Sequence, residues 1–271
     1  MSTSTQWQLA HEAAERYQQI LVPAILGPAA RALVEWSAVH SGDTVLDVGC
    51  GTGAAARCAA EQAGASGHVI GIDINAGMIA IARSLPFVKG ATIEWQEQNA
   101  YQLPLSNQTV DVALCAQTLQ FLNDRSLALA EMYRVLKPGG RVALGLWNVI
   151  DENPYFHALV NAISRHVAPE TAMGLKAAFG LSNMDKIRAL LLEAGFQNIE
   201  MSVRQLDLEL PQILDFVTRH ISATPMAADF NAASAAAQRA VIQEVSGQLA
   251  AYKTDAGIRV PFRTHLAKAI K

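Results

Sequence analysis

Two acids and three glycines are the residues whose types and spacing could do chemistry here. The stretch Val45-Leu-Asp-Val-Gly-Cys-Gly-Thr-Gly53 carries one acid, Asp47, in an apolar run and then breaks into glycines at 49, 51 and 53. Glycine takes backbone angles that other residues resist and lets a ligand lie against the main chain. The helix-prone run Ala54 to Gln62 follows, and the first N–H groups of a helix have no partner inside it. A second apolar run, His68-Val-Ile-Gly-Ile-Asp73, also ends in an acid, twenty residues past Gly53. In a wound α/β sheet that spacing sets a carboxylate beside the ribose of an adenosine ligand, where it accepts from both hydroxyls. A solvated turn acid is the plainer reading of Asp73, and the glycines upstream favour the ribose. The chemistry so indicated is the holding of a cofactor.

The elements that must position these residues can be read in order. Residues 6–22 and Ala29 to Val39 read as two amphipathic helices, punctuated by Pro23 and Pro28. They are a packing element or, on a sharper reading, a lid over a ligand, with Tyr17 as the residue that would touch it. Strands are expected at 45–48, 68–73, 91–97, 110–116 and 141–147, with helices between them, the last ended by Lys137-Pro-Gly-Gly140. Such alternation means a doubly wound, mostly parallel α/β sheet with the ligand at the carboxyl ends of the strands. Beyond Trp147 the pattern loosens. Helices are expected at 154–167 and 184–194, the second capped by Ser182, with a loop over 168–181 between them. Asn198–Leu210 and Ile258–Phe262 read as strands around an Ala-rich helical segment.

Bulk properties narrow the class. The chain has 271 residues, 51% hydrophobic and 17% charged, with a net charge of −3. One large domain with a substantial core fits these values. No run of Lys or Arg stands out, so a nucleic acid backbone is not an expected partner. The three cysteines, Cys50, Cys58 and Cys115, form no Cys-x-x-Cys pair and suit a reducing cytoplasm. The opening residues lack a charged region ahead of an apolar core, so no signal peptide is expected. Ile20 to Trp36 is interrupted by Pro23, Pro28, Arg31 and Glu35 and is not expected to span a membrane.

Two ligands compete for this architecture. Gly49, Gly51 and Ala54 satisfy a loose dinucleotide fingerprint, and Tyr133-x-x-x-Lys137 has the spacing of a short-chain dehydrogenase proton-transfer pair. That pair falls on the last turn of a helix, where residues four apart occur by chance. The other ligand is S-adenosylmethionine. Four segments in order, Val45 to Gly53, Gly71-Ile-Asp-Ile74 with Met78, Asn99-Ala-Tyr-Gln-Leu-Pro-Leu105, and Arg134-Val-Leu-Lys-Pro-Gly-Gly140, resemble a class I S-adenosylmethionine-dependent methyltransferase of the bacterial small-molecule type. They are similar to the ubiquinone/menaquinone-biosynthesis C-methyltransferases. The resemblance covers about residues 40–147.

The resemblance implies a seven-stranded sheet with an antiparallel strand at its edge. The chain then divides into an N-terminal helical lid (1–40), a cofactor core (41–147) and a C-terminal part (148–271) with a helical cap at about 211–255. It also implies roles. Asp47, Gly49 and Gly51 would line the methionine end. Asp73 would hold the ribose, with Ile74 and Met78 beside adenine. Asn99 stands where the family usually has Asp to meet the adenine amino group, and an amide oxygen still accepts there. The Ala100 N–H would reach a ring nitrogen, and Gln117 would close over the methionine portion.

Methyl transfer from a sulfonium asks the protein mainly to align the acceptor and exclude water. A base is needed only if the acceptor must lose a proton. His157, His166, His220 and Tyr17 are candidates. His220 is favoured because Arg219-His-Ile-Ser lies in the cap segment, although a lone helix histidine is more often structural. Asp151 and Glu152 read as a solvated loop. Apolar residues crowd both flanking regions (Ile20, Leu21, Ile25, Leu26; Ile213, Leu214, Phe216, Val217, Ile221). An enclosed apolar pocket for a small organic metabolite, aromatic or polyketide-like, is expected, and the Ala-rich helices could form a homodimer surface. A cofactor-keeping pseudo-enzyme and a nicotinamide oxidoreductase are the alternatives.

Overall fold

The computed structural model describes residues 11–271. Eight strands form one sheet: β1 (Thr44–Val48), β2 (His68–Asp73), β3 (Thr92–Glu97), β4 (Val110–Ala116), β5 (Leu136–Trp147), β6 (Gln197–Leu210), β7 (Lys253–Thr254) and β8 (Gly257–Ile270). Their order is β3-β2-β1-β4-β5-β8-β6, with β7 paired to β8. The first five run parallel, and β8 runs antiparallel to both of its neighbours.

Alternation along β1 assigns the two faces of the sheet. Leu46 and Val48 join a cluster with Leu129, Met132, Ile187 and Leu191 from the helices Arg125–Val135 and Met184–Glu193. Val45 joins the opposite cluster with Leu33, Val34, Ala56 and Ala59 from Gly27–Ser37 and Ala54–Ala63. Both faces are thus covered, which is why β1, β2 and β4 are nearly continuous apolar runs.

Several expectations are corrected. The antiparallel strand is not at the sheet edge: β8 sits between β5 and β6, and it runs for 14 residues rather than five because both sides are hydrogen-bonded. Residues 168–181 are not all loop. Pro169 opens a helix, Pro169–Ala177, that buries Ala172 and Leu175. Asn183, not Ser182, caps the helix Met184–Glu193, its side chain accepting from the Lys186 N–H. Pro23 and Pro28 do not split the N-terminal region. His11–Arg16, a π-helical stretch Tyr17–Leu26 and Gly27–Ser37 follow one another directly. The turn there is the wider π type, with Gly27 N–H on Val22 O, five residues back, and Pro23 lies inside it. Residues 6–10 of the expected first helix lie outside the described residues. The run Glu12–Ser37 is, by length and composition, apolar enough to cross a membrane, but half of its most apolar window is buried inside the fold.

The remaining segments make a cap. Pro154–His166, Pro169–Ala177, Ile213–Ser222, Ala227–Ala232 and Ala235–Gln248 surround an apolar cluster that includes Ile20, Leu21 and Ile25 from the N-terminal run and Trp147 from the end of β5. Within it Trp147 meets Phe156, Phe179 and Phe262 edge-on, with ring centroids 4.6, 5.3 and 4.7 Å away.

Candidate active site

The carboxyl ends of β1 and β2 bring the first acid, the glycines and the second acid together. Asp47 is fully buried. Its Oδ2 accepts from the Ala56 N–H at 2.9 Å, so it serves the first turn of the helix Ala54–Ala63. Its Oδ1 is buried without a partner among the described residues. Burial, opposed by the Ala56 N–H and reinforced by Asp73, pushes its pKa up to about 7. Asp73 accepts from the Gly51 N–H and the Asn75 N–H, each at 2.8 Å. Burial raises its pKa while those N–H groups pull it down. The carboxylate therefore shapes the glycine loop.

The three glycines have different reasons. All have positive φ: 70° at Gly49, 55° at Gly51 and 92° at Gly53. A Cβ on Gly53 would lie 2.2 Å from the Trp95 ring, and one on Gly49 would lie 2.2 Å from Thr118 Cγ2. Those two make room for the protein itself. At Gly51 the nearest atom to such a Cβ is the Tyr17 hydroxyl oxygen, 3.8 Å away, so this is the glycine whose face stays open.

Tyr17 is carried over the loop by the N-terminal run. It packs against Ala14, Met78 and Ile81 on one side and the cap cluster on the other. Burial first, then the charges of Asp73, Cys50 and Asp47, raise its phenol well above the ordinary range. Tyr17 therefore keeps its proton at neutral pH, against the expectation that it could serve as a base. The N-terminal run is tied down where Arg16 Nε donates to the Ser222 carbonyl at 3.0 Å.

The adenine-side residues are split. Ile74 is exposed at the surface, whereas Met78 is buried under Ala14. The Asn99 side chain accepts from the Tyr101 N–H at 2.9 Å, holding its own turn, and keeps one lone pair for a second donor. Ala100 is half-buried beside it. Gln117 follows β4 with φ 53° and sends its side chain across to Thr264 on β8.

His220 stands on the helix Ile213–Ser222, within the cap segment. It lies buried among the rings of Tyr155, Phe156 and Phe216, with Nδ1 2.8 Å from the Tyr155 hydroxyl. Burial pushes its pKa down to about 3. An imidazole that weakly basic is a poor proton acceptor at neutral pH, so the geometry assigns it to the core of the cap. His157 pairs with Asn161 and His166 with Glu244, both away from the glycine loop. The Tyr133–Lys137 pair is likewise divided. Tyr133 stacks edge-on to Phe196, and Lys137 Nζ donates to both oxygens of Asp111 at 2.8 Å. Sequence reasoning missed Gln120 and Thr264. Their only signal was polarity within apolar segments, and nothing local says that the two meet.

The donor set fits a nucleoside cofactor bearing positive charge: two acids, an orphaned carboxylate oxygen at Asp47, an open glycine face and a phenol above it. Fold and site together define a class I methyltransferase-type cofactor domain. Comparison with known proteins agrees. Residues 46–144 match the family model described as a methyltransferase domain. The chain is 31% identical to a ubiquinone/menaquinone biosynthesis C-methyltransferase from an Enterobacter species, over 63% of this chain and 72% of that one. It is 32% identical to an arsenite methyltransferase of Halobacterium salinarum over 62% of this chain, spanning only 40% of that relative's length. The fold matches a Haemonchus contortus phosphoethanolamine N-methyltransferase solved with S-adenosyl-L-methionine, with TM-score 0.61 and 19% identity, covering 100% of this chain and 60% of that one. The chain belongs to the S-adenosylmethionine-dependent methyltransferase family, and S-adenosylmethionine is its cofactor.

Proposed function

We propose that this protein methylates a small, mainly apolar, aromatic organic acceptor held beneath the helical cap. The observation that carries the reading is the seam between two surfaces. On one side stand Asp47, Gly51, Asp73 and Tyr17 at the ends of β1 and β2; on the other stands the aromatic cap cluster around Trp147. Quinone-biosynthesis relatives support an acceptor with a flat ring.

When bound, the cofactor supplies an electrophilic methyl group. The chain's own residues do the rest. Asp47 and Asp73 provide negative charge near the glycine loop, and Asp73 takes the ribose. Asn99 and Ala100 offer an acceptor and an N–H on the adenine side, where Ile74 gives the ring an apolar face and Met78 backs it. Gln117 and Tyr17 close the methionine end, and the lid and cap keep water out. No side chain is assigned as general base. Three free thiols fit a reducing cytoplasm.

Calorimetric titration tests this. Wild type is expected to bind S-adenosylmethionine in the micromolar range and to ignore NADH, and Asp73→Ala should lose the cofactor. A panel of naphthoquinols, phenols and amines should then yield a methylated product from the phenolic or quinol members. A folded wild type that binds no S-adenosylmethionine overturns the reading.

A further inference from the structure

Beside the glycine loop, on the β5 side of β4, a line of polar side chains ends in an acceptor with nothing to accept. Thr264 Oγ1 lies 2.6 Å from the Leu146 carbonyl and 3.5 Å from the His265 carbonyl. Both are acceptors only, so the hydroxyl hydrogen is spent on a carbonyl and the Thr264 oxygen can only accept. Gln117 Nε2, 3.1 Å from that oxygen, must be the donor. The other end of the Gln117 amide is then its carbonyl oxygen, and Gln120 Nε2 faces it at 3.5 Å. This polarity fixes the last amide as well: Gln120 Oε1 points away from Gln117. It is buried without a partner among the described residues, on a side chain that belongs to a residue only 4% exposed.

A buried carbonyl oxygen left unpaired is costly, and a ligand that brings a donor to it removes that cost. The position says which ligand. The ribose-side residues Asp73 and Gly51 lie over β2 and β1, whereas Gln117, at the methionine end, lies with Gln120 and Thr264 over β4, β5 and β8. Thr264 is the register partner of Trp147, the centre of the aromatic cap. Phe121, next to Gln120, packs on the same cluster. The unpaired oxygen therefore sits beside the cap cluster and the methionine end rather than at the adenosine end.

We propose that Gln120 Oε1 receives a hydrogen bond from the methyl acceptor, and that the protein selects aromatic acceptors carrying a hydroxyl or N–H donor over those that are wholly apolar. Gln117 and Thr264 act as positioning residues, since they hold the amide in the orientation that presents its oxygen. The inference rests on the methyltransferase reading above and adds the group that the acceptor must carry. A site built to accept from a donor discriminates strongly against an analogue without one.

The test uses the full chain saturated with S-adenosylhomocysteine, with 2-naphthol and naphthalene as probes, followed by tryptophan fluorescence. Wild type is expected to bind 2-naphthol about tenfold or more tightly than naphthalene. Gln120→Met, of similar volume and with no acceptor, should bring the two within about twofold. Gln120→Met should still bind S-adenosylhomocysteine, and both probes are compared on the saturated variant. A wild type that does not distinguish the probes overturns the proposal with no variant needed. So does a Gln120→Met protein that keeps the preference, or a cooperatively melting Gln120→Met protein that loses S-adenosylhomocysteine, which would give the oxygen to the cofactor. A wild type that binds no S-adenosylhomocysteine fails the methyltransferase reading itself and is thereby told apart from the other outcomes.

Discussion

At the scale of single residues, Asp47 carries the clearest electrostatic consequence. Its carboxyl is raised to about 7 in the fold, above the value of about 4 for an exposed Asp. The folded protein then holds a proton that the unfolded chain has released, so this group makes the fold less stable as pH rises from about 4 to about 7. The penalty is absent below that window and complete above it. Thermal unfolding midpoints are expected to decline less across the window in Asp47→Asn than in wild type; parallel curves would show that Asp47 stays ionised. The glycines give a second contrast. Gly53→Ala must displace the Trp95 ring and should destabilise the fold markedly, whereas Gly51→Ala pays mainly the left-handed backbone cost of about 1–2 kcal/mol. Gly51→Ala should therefore still fold while binding S-adenosylmethionine more weakly. Equal melting of the two variants would remove the distinction.

At the scale of elements, the N-terminal run is the part that joins cofactor and cap. Its π-helical stretch turns Tyr17 toward Gly51 while Ile20, Leu21 and Ile25 enter the cap cluster. Tyr17→Ala should speed release of S-adenosylmethionine by roughly tenfold in stopped-flow measurements of the cooperatively folded variant. Unchanged release would demote the run to packing. The strands β2 and β4 were legible to the residue because each is a short apolar run bounded by turn residues. β8 was not, because Arg263, Thr264, His265 and Lys268 break its pattern while the strand gains its length from pairing with β5 and β6. The helix Pro169–Ala177 was hidden by Gly174 and by its short length.

At the scale of the whole molecule, the sheet and the cap are joined through Trp147 and β8. Phe216 is fully buried in the cap. Truncating it to Ala should cost about 3–5 kcal/mol, read as a lower denaturant midpoint with unchanged slope. A loss under about 1 kcal/mol would mean that the cap contributes little to global stability. The helix Ala235–Gln248 turns Val241 and Val245 inward onto the same cluster, so its apolar side is spent within the chain.

What the amino-acid sequence determined by itself was the cofactor half. Apolar runs ending in Asp47, the glycines and Asp73 are local signals, because strand, turn and helix start follow one another within a dozen residues and need no distant partner to be recognised. Tertiary structure alone decided how the C-terminal half assembles. The insertion of β8 between β5 and β6, the contact of His220 with Tyr155, 65 positions away, and that of Gln117 with Thr264, 147 positions away, all join segments distant in the chain. Hydrogen-bond polarity and burial arise only when those segments meet, so no periodicity in the chain announces them.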